Sequence, residues 1–122
     1  MIFADTHILI WLTIGDPRLS SDATETLLAE PALAVSAVTA FEYADLQQRG
    51  RLPGAPSFAE LVQGLRLQVV DLPASIWTLA ATLPPIHGDP VDRMLIAHVI
   101  AAAGLLATAD SDMRRYQVDL VW

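Results

Sequence analysis

Short apolar runs alternate with helical segments along the chain, and this alternation constrains the fold more than any other feature. Residues 2–5, 32–36, 68–72 and 105–108 are apolar runs of strand length, bounded by polar residues, proline or glycine. Strands that alternate with helices form βαβ units, whose strands pair in parallel. We therefore expect an α/β fold, a three-layer α/β/α arrangement with a central, mainly parallel, Rossmann-like sheet.

Capping residues, prolines and glycines bound the helices between these runs. They predict helices over residues 8–12, 23–30, 39–49, 57–67, 74–83 and, after Pro90, to about Gly104. Residues 118–121 predict a last, edge strand. A chain of 122 residues is long enough for one domain with a real core, so we predict a single domain over residues 1–122.

The apolar runs do not have the form of export or membrane segments. Residues 8–14 are preceded by Asp5 and His7 rather than by a basic segment, which disfavours a signal peptide. Residues 94–109 are shorter than a membrane span and contain His98. With no cysteine, the chain has neither disulfides nor thiolate metal sites. We expect a cytoplasmic protein that does not contact a membrane.

Four acidic residues fall where predicted strands turn into helices: Asp5, Glu42, Asp92 and Asp110. The carboxyl ends of parallel strands line one crevice, where ligands bind in open α/β sheets. Four carboxylates there would form an all-oxygen, negative site that suits Mg²⁺ or Mn²⁺. Such ions support phosphodiester hydrolysis, so the pattern points to a metal-dependent hydrolase.

Helix capping is the competing explanation for these acids. Thr39 and Glu42 have the spacing of a capping box, and Asp89 before Pro90 has the form of an N-cap, with Asp92 in the first turn. Capping explains each acid singly but does not require one at every junction. The two roles are also compatible, because a helix N-terminus stabilises the ionised carboxylate that a metal needs. For Asp89 we favour the cap.

Other polar residues near the crevice receive structural roles. Asp112 is a candidate fifth ligand, although a solvated turn is the preferred interpretation. No ligand role is expected for the histidines, which lack metal-ligand spacing: His7, His87 and His98. Structural hydrogen bonds are expected for three threonines: Thr6, Thr39 and Thr108.

The net charge of −7 disfavours nucleic-acid binding, since phosphate contacts need positive charge. Two features offset this objection. Bound cations would neutralise part of the charge, and several arginines lie in segments that adjoin the acids: Arg49, Arg51, Arg93, Arg114 and Arg115.

Five segments together resemble the PIN-domain family, and specifically its VapC-type toxin ribonucleases. They are residues 5–12 (DTHILIWL), 36–42 (SAVTAFE), 87–97 (HGDPVDRMLIA), 106–110 (LATAD) and 116–122 (YQVDLVW), in the family's order and over nearly the whole chain. The third segment is the most specific match.

The resemblance implies a PIN-like fold and a Mg²⁺- or Mn²⁺-dependent endoribonuclease. Its acidic site would consist of Asp5, Glu42, Asp92 and Asp110. It also implies an RNA substrate and an antitoxin partner, in a homodimer or a toxin–antitoxin hetero-oligomer. Residues 45–47 depart from the pattern, because many relatives carry a lysine after the second acidic segment.

Two other functions compete with this interpretation. Phosphoryl transfer through an aspartyl-phosphate on Asp5 usually needs a lysine, which the chain lacks, and a second aspartate two residues after Asp5, where His7 stands. A binding module whose acids are only caps would use the 53% hydrophobic content for a partner surface. Titration with Mn²⁺ separates the last function from the nuclease.

Overall fold

The computed structural model describes residues 1–121, so Trp122, at the end of the predicted domain, lies outside the described part of the chain. Five short strands form one sheet in the order β3-β2-β1-β4-β5, and every pair is parallel. The predicted α/β class is confirmed, with a sheet that is wholly rather than mainly parallel. The strands are β1 Ile2–Ala4, β2 Ala34–Ser36, β3 Gln68–Val70, β4 Leu105–Ala107 and β5 Asp119–Leu120.

The helices between the strands agree with those that the sequence predicts, with shifts of a few residues at their ends. Capping side chains fix most starts: Asp5, Ser20, Ser36, Ser57 and Asp89 each accept a backbone N–H of the helix that they precede. The helices are α1 Thr6–Ile14, α2 Ser21–Leu28, α3 Ala37–Gln48, α4 Phe58–Leu65, α5 Ile76–Thr82 and α6 Pro90–Ala101, and Met113–Arg115 forms a 3₁₀ turn. Among residues 1–121, no helix is long and apolar enough to cross a membrane.

Buried side chains alternate between the two faces of the sheet. Ile2, Ala4 and Val35 pack with residues from α1 to α4 on one face. Phe3 and Ala34 pack with residues of α6 on the other. Strands covered on both faces must be apolar throughout, which explains why the strand runs lack polar alternation. Helix α5 packs against α6.

Two expectations about the acidic positions are wrong. Helix α3 begins at Ala37, where the Ser36 hydroxyl accepts the N–H of Val38 at 3.2 Å, so Thr39 and Glu42 do not form a capping box. Glu42 lies in the second turn of α3 instead. Asp92 lies in α6, which follows α5 rather than a strand. Of the four acids, Asp5 therefore directly follows a strand and Asp110 lies in the turn after one.

Candidate metal centre

Asp5 joins the first strand to the first helix and lies at the carboxyl edge of the sheet. One carboxylate oxygen accepts the N–H of Ile8 at 3.0 Å and thereby caps α1, while the other accepts the hydroxyl of Thr108. Burial raises the pKa of Asp5, and these two hydrogen bonds oppose the increase without cancelling it. Because Thr108 follows β4, the carboxylate is held between two neighbouring strands.

Glu42 reaches the same edge from α3. Its carboxylate accepts the hydroxyl of Thr6, in the first turn of α1. The hydrogen bonds expected for Thr6 and Thr108 are therefore present, and both orient acids of the candidate site. Two threonine donors thus fix two carboxylates that come from separate segments of the chain.

The first turn of α6 carries Asp89 and Asp92. Asp89 is the N-cap and accepts the N–H of Val91 at 2.8 Å. Burial raises the pKa of Asp92 to about 7, and the negative charges of Asp89 and Glu42 add to this effect. A raised carboxylate pKa marks a place where burial and nearby negative charge both disfavour ionisation.

Asp110 organises the turn after β4. Its carboxylate accepts the N–H groups of Asp112 and Met113 at 2.8 and 3.1 Å. Burial acts to raise the pKa of Asp110, but these donors and the His87 ring outweigh it, and the pKa lies below its ordinary value. Asp112 is exposed and lies 3.7 Å from Arg115, which agrees with the solvated turn favoured for it.

One cavity of about 370 Å³ brings the four predicted acids together, although they come from four separate segments. Asp89 also lines it, whereas Asp112 does not. The lining residues are Asp5, Thr6, His7, Glu42, Leu46, Arg51, Leu52, Asp89, Asp92, Asp110 and Met113.

The donor atoms of this cavity fit a hard divalent cation. Carboxylate oxygens of Glu42, Asp89 and Asp92 lie within 4.8 Å of one another. A second group of the same compactness consists of Asp92, Asp110 and the ring of His87. Asp92 belongs to both groups, and its pKa is raised first by burial and then by the negative charges of Asp89 and Glu42. Mg²⁺ and Mn²⁺ prefer such oxygen donors.

Comparison with known proteins identifies the family of this chain. The family model described as "PIN domain" matches residues 2–119. This chain belongs to the PIN-domain family. The curated Ribonuclease VapC22 of Mycobacterium tuberculosis (strain ATCC 25618 / H37Rv) is 29% identical over 119 residues, which are 95% of this chain and 92% of the relative.

Two solved structures share the fold of this PIN domain. The crystal structure of VapBC2 from Rickettsia felis, bound to a DNA fragment from its promoter, matches with a TM-score of 0.68 and 20% identity. The match covers 98% of this chain and 97% of that one. The structure of FitAB bound to an IR36 DNA fragment matches with a TM-score of 0.65 and 16% identity, over 98% and 93% of the two chains.

Sequence reasoning about this PIN domain missed His87. Its Nε2 atom lies 2.9 Å from Asp92 Oδ2 and 3.3 Å from Asp110 Oδ2. Burial acts to lower the pKa of His87, but the hydrogen bond with Asp110 and the nearby negative charges outweigh it, and the pKa is raised. His87 was left out of the predicted site because it lacks metal-ligand spacing. The loop before α6 nevertheless places its ring beside Asp92 and Asp110.

The arginines that adjoin the acids have different roles. Arg51 lines the cavity, as a contact with substrate phosphate would require. Arg93 instead donates to backbone carbonyls at the end of α5, and Arg49 pairs with Asp45 at 3.0 Å. Arg51 is thus the arginine that lines the acidic cavity, and the roles of Arg93 and Arg49 are structural.

Proposed function

We propose that this PIN domain, over residues 1–122, is a metal-dependent endoribonuclease and the toxin of a type II toxin–antitoxin pair. The observation that carries the proposal is the single cavity lined by the carboxylates of Asp5, Glu42, Asp92 and Asp110. The likeness to Ribonuclease VapC22 supports RNA as the substrate. The likeness to VapBC2 supports a paired partner protein.

The four carboxylates would hold one or two Mg²⁺ or Mn²⁺ ions, some of them through water. A divalent ion at such a site supplies an activated water and stabilises negative charge on phosphoryl oxygens. Asp92 belongs to both compact groups of donors, so it is the acid on which binding should depend most. Asp89 and Asp112 are weaker candidates, since one caps α6 and the other lies outside the cavity lining.

The remaining residues of the site prepare these acids and the substrate. Thr108 and Thr6 hold Asp5 and Glu42 in place before any ion arrives, which lowers the cost of ordering them. Arg51 lines the same cavity and would contact a phosphate of the RNA. No protein nucleophile is required, because water attacks the phosphorus.

An antitoxin would act by covering the approach to this cavity. An apolar groove of about 360 Å³, formed by α1, Tyr43 and the 51–56 loop, shares Arg51 and Leu52 with the acidic cavity. An apolar segment of the antitoxin in this groove would bring a basic side chain within reach of the acids. That side chain would compete with the metal for the negative charge.

A matched panel of variants tests this proposal. Calorimetric titration with Mn²⁺ and RNA cleavage would be measured for the neutral variants Asp5→Asn, Glu42→Gln, Asp92→Asn and Asp110→Asn. Asp71→Asn is the control, because Asp71 also follows a strand but does not line the cavity. We expect binding and cleavage to fall in all four and to stay unchanged in the control. No Mn²⁺ binding at millimolar concentration would favour a binding module, and a stable phospho-aspartate would favour phosphoryl transfer.

A further inference from the structure

We propose that His87 is a positioning residue that holds the Asp92 and Asp110 carboxylates together by hydrogen-bond donation, and that it is not a metal ligand. The inference rests on the proposed metal site and concerns a side chain that the four-carboxylate description leaves out. Its basis is the position of both ring nitrogens of His87 and of the loop that carries it.

The ring nitrogens of His87 have separate partners. Nδ1 accepts the backbone N–H of Asp89 at 3.1 Å, so its lone pair is occupied. The neutral ring therefore carries its proton on Nε2, which faces Asp92 and Asp110 at 2.9 and 3.3 Å. A nitrogen that carries a proton has no lone pair to offer, so Nε2 would have to lose this proton before it could bind a metal ion. Nε2 is a donor in the charged ring as well, although Nδ1 then carries a proton and no longer accepts from Asp89.

This arrangement differs from that of a typical metal-binding histidine. In such a residue the second ring nitrogen usually donates its proton to a carboxylate or a carbonyl, which leaves the first nitrogen free to bind the metal. In His87 the second nitrogen, Nδ1, instead accepts a hydrogen bond from the backbone N–H of Asp89. The compact grouping of His87 with Asp92 and Asp110 therefore indicates a bridge between two carboxylates.

A hydrogen-bond network fixes the backbone of His87. Its N–H donates to the Tyr116 hydroxyl at 2.8 Å, and that hydroxyl donates to the carbonyl of Pro84 at 2.9 Å. The Arg93 guanidinium donates to the same Pro84 carbonyl at 3.0 Å. Two more carbonyls at the end of α5 accept from Arg93, those of Ala80 and Leu83. These hydrogen bonds connect the loop that carries His87 to Arg93 of α6, the residue after Asp92.

Bridging has a direct consequence for metal affinity. Asp92 and Asp110 come from different elements, α6 and the turn after β4, and like charges repel. A donor between them offsets this repulsion and keeps the oxygens close before an ion binds. Without His87, the ion would have to draw the two carboxylates together, and binding would weaken.

Variants of the bridge and its support give the test. We expect His87→Ala to weaken Mn²⁺ binding roughly tenfold and to lower kcat for RNA cleavage without a change in KM. His87→Gln keeps an N–H donor and should recover most of both. Tyr116→Phe should weaken binding in the same direction and by less. Thr26→Val is the matched control, because it removes a hydroxyl that donates to the Asp22 carbonyl on α2, away from this loop and from the acidic cavity.

Spectroscopy separates a bridge from a ligand. Pulsed electron paramagnetic resonance of the Mn²⁺ complex should show no directly coordinated nitrogen, and His87→Ala should not alter that part of the spectrum. A nitrogen coupling that disappears in His87→Ala would make His87 a ligand and overturn the proposal. Unchanged Mn²⁺ affinity in both His87 variants would also overturn it, even if Asp92→Asn abolished binding and so upheld the metal site.

Nuclear magnetic resonance of the metal-free protein gives a readout that does not depend on the proposed function. Long-range ¹H–¹⁵N spectra should show the His87 proton on Nε2 at neutral pH. A proton on Nδ1 alone would refute the bridge. If the wild type bound no Mn²⁺, the nuclease proposal would fail, and this spectrum would still decide the role of His87. Circular dichroism of each variant confirms that it is folded.

Discussion

Replacement of Asp92 by asparagine should stabilise the metal-free protein at high pH. The Asp92 side chain is only 17% exposed and faces the charges of Asp89 and Glu42. Its pKa rises, first because of burial and then because of these charges, from 3.8 to about 7. Asparagine keeps the shape of the side chain and removes the charge.

The size of the effect follows from this pKa. One pKa unit corresponds to about 1.36 kcal/mol, so ionisation of Asp92 costs the folded state at most about 4 kcal/mol. Screening by salt and relaxation of the side chain reduce this to roughly 1–2 kcal/mol. Between about pH 4 and pH 7 the folded protein keeps a proton that the unfolded chain has released. The proton on Asp92 therefore favours the folded state over the unfolded chain. This contribution to the free energy of unfolding is complete at low pH and is lost as pH rises to about 7.

Thermal melts in EDTA and in Mn²⁺ test the prediction. In EDTA at pH 8, Asp92→Asn should melt about 3–8 °C above the wild type, and the difference should narrow at pH 5. In Mn²⁺ at about one hundred times its Kd, the wild type should gain about 2.7 kcal/mol and the variant much less. Asp71→Asn is the control for a lost surface charge. The reasoning is refuted if Asp92→Asn melts at or below the wild type in EDTA at pH 8, or if Mn²⁺ stabilises both equally.

Three further outcomes are expected. Asp89→Ala removes the α6 cap, so it should lower the free energy of unfolding by about 0.5–2 kcal/mol in thermal melts and reduce the cleavage rate only modestly. A folded but inactive Asp89→Ala variant would make Asp89 a ligand. Thr108→Val removes the hydroxyl that donates to Asp5, so it should raise the pKa of Asp5 further and weaken Mn²⁺ binding in calorimetry. Unchanged Mn²⁺ binding would show that this hydrogen bond does not prepare the site. The purified complex with the antitoxin should cleave RNA more slowly than the free protein, and equal rates would contradict inhibition by occlusion.

The sheet was predictable because its signals are local. Residues 2–5 and 105–108 are apolar without alternation, as a strand covered by helices on both faces requires, and the structure pairs them as neighbouring parallel strands. The same topology accounts for the positions of two of the four acids. Asp5 and Asp110 lie at one edge of the sheet because β1 and β4 are adjacent.

The start of α3 was not predictable, because two capping residues compete for it. Ser36 and Thr39 both suit an N-cap, and the sequence favoured Thr39 because Glu42 follows three residues later. In the structure, Ser36 caps the helix, and its hydroxyl also lies 2.7 Å from Nδ1 of His98 on α6. That partner is distant in sequence, so no local pattern could reveal it.

His87 was missed for the same kind of reason. Its place in the site depends on a hydrogen bond to Tyr116, which lies 29 positions further along the chain. Spacing rules for metal ligands describe side chains on one helix or turn, and they cannot detect a residue positioned by a loop of this kind.

Cleavage of RNA by the free protein, with and without divalent cations, tests whether this PIN domain is a metal-dependent endoribonuclease. The protein would be freed of metal with EDTA, dialysed, and assayed on RNA before and after addition of Mg²⁺ or Mn²⁺. We expect no cleavage without a cation, recovery after its addition, and a loss of orders of magnitude in Asp92→Asn under the same conditions. Undiminished cleavage by the wild type in excess EDTA would contradict the account.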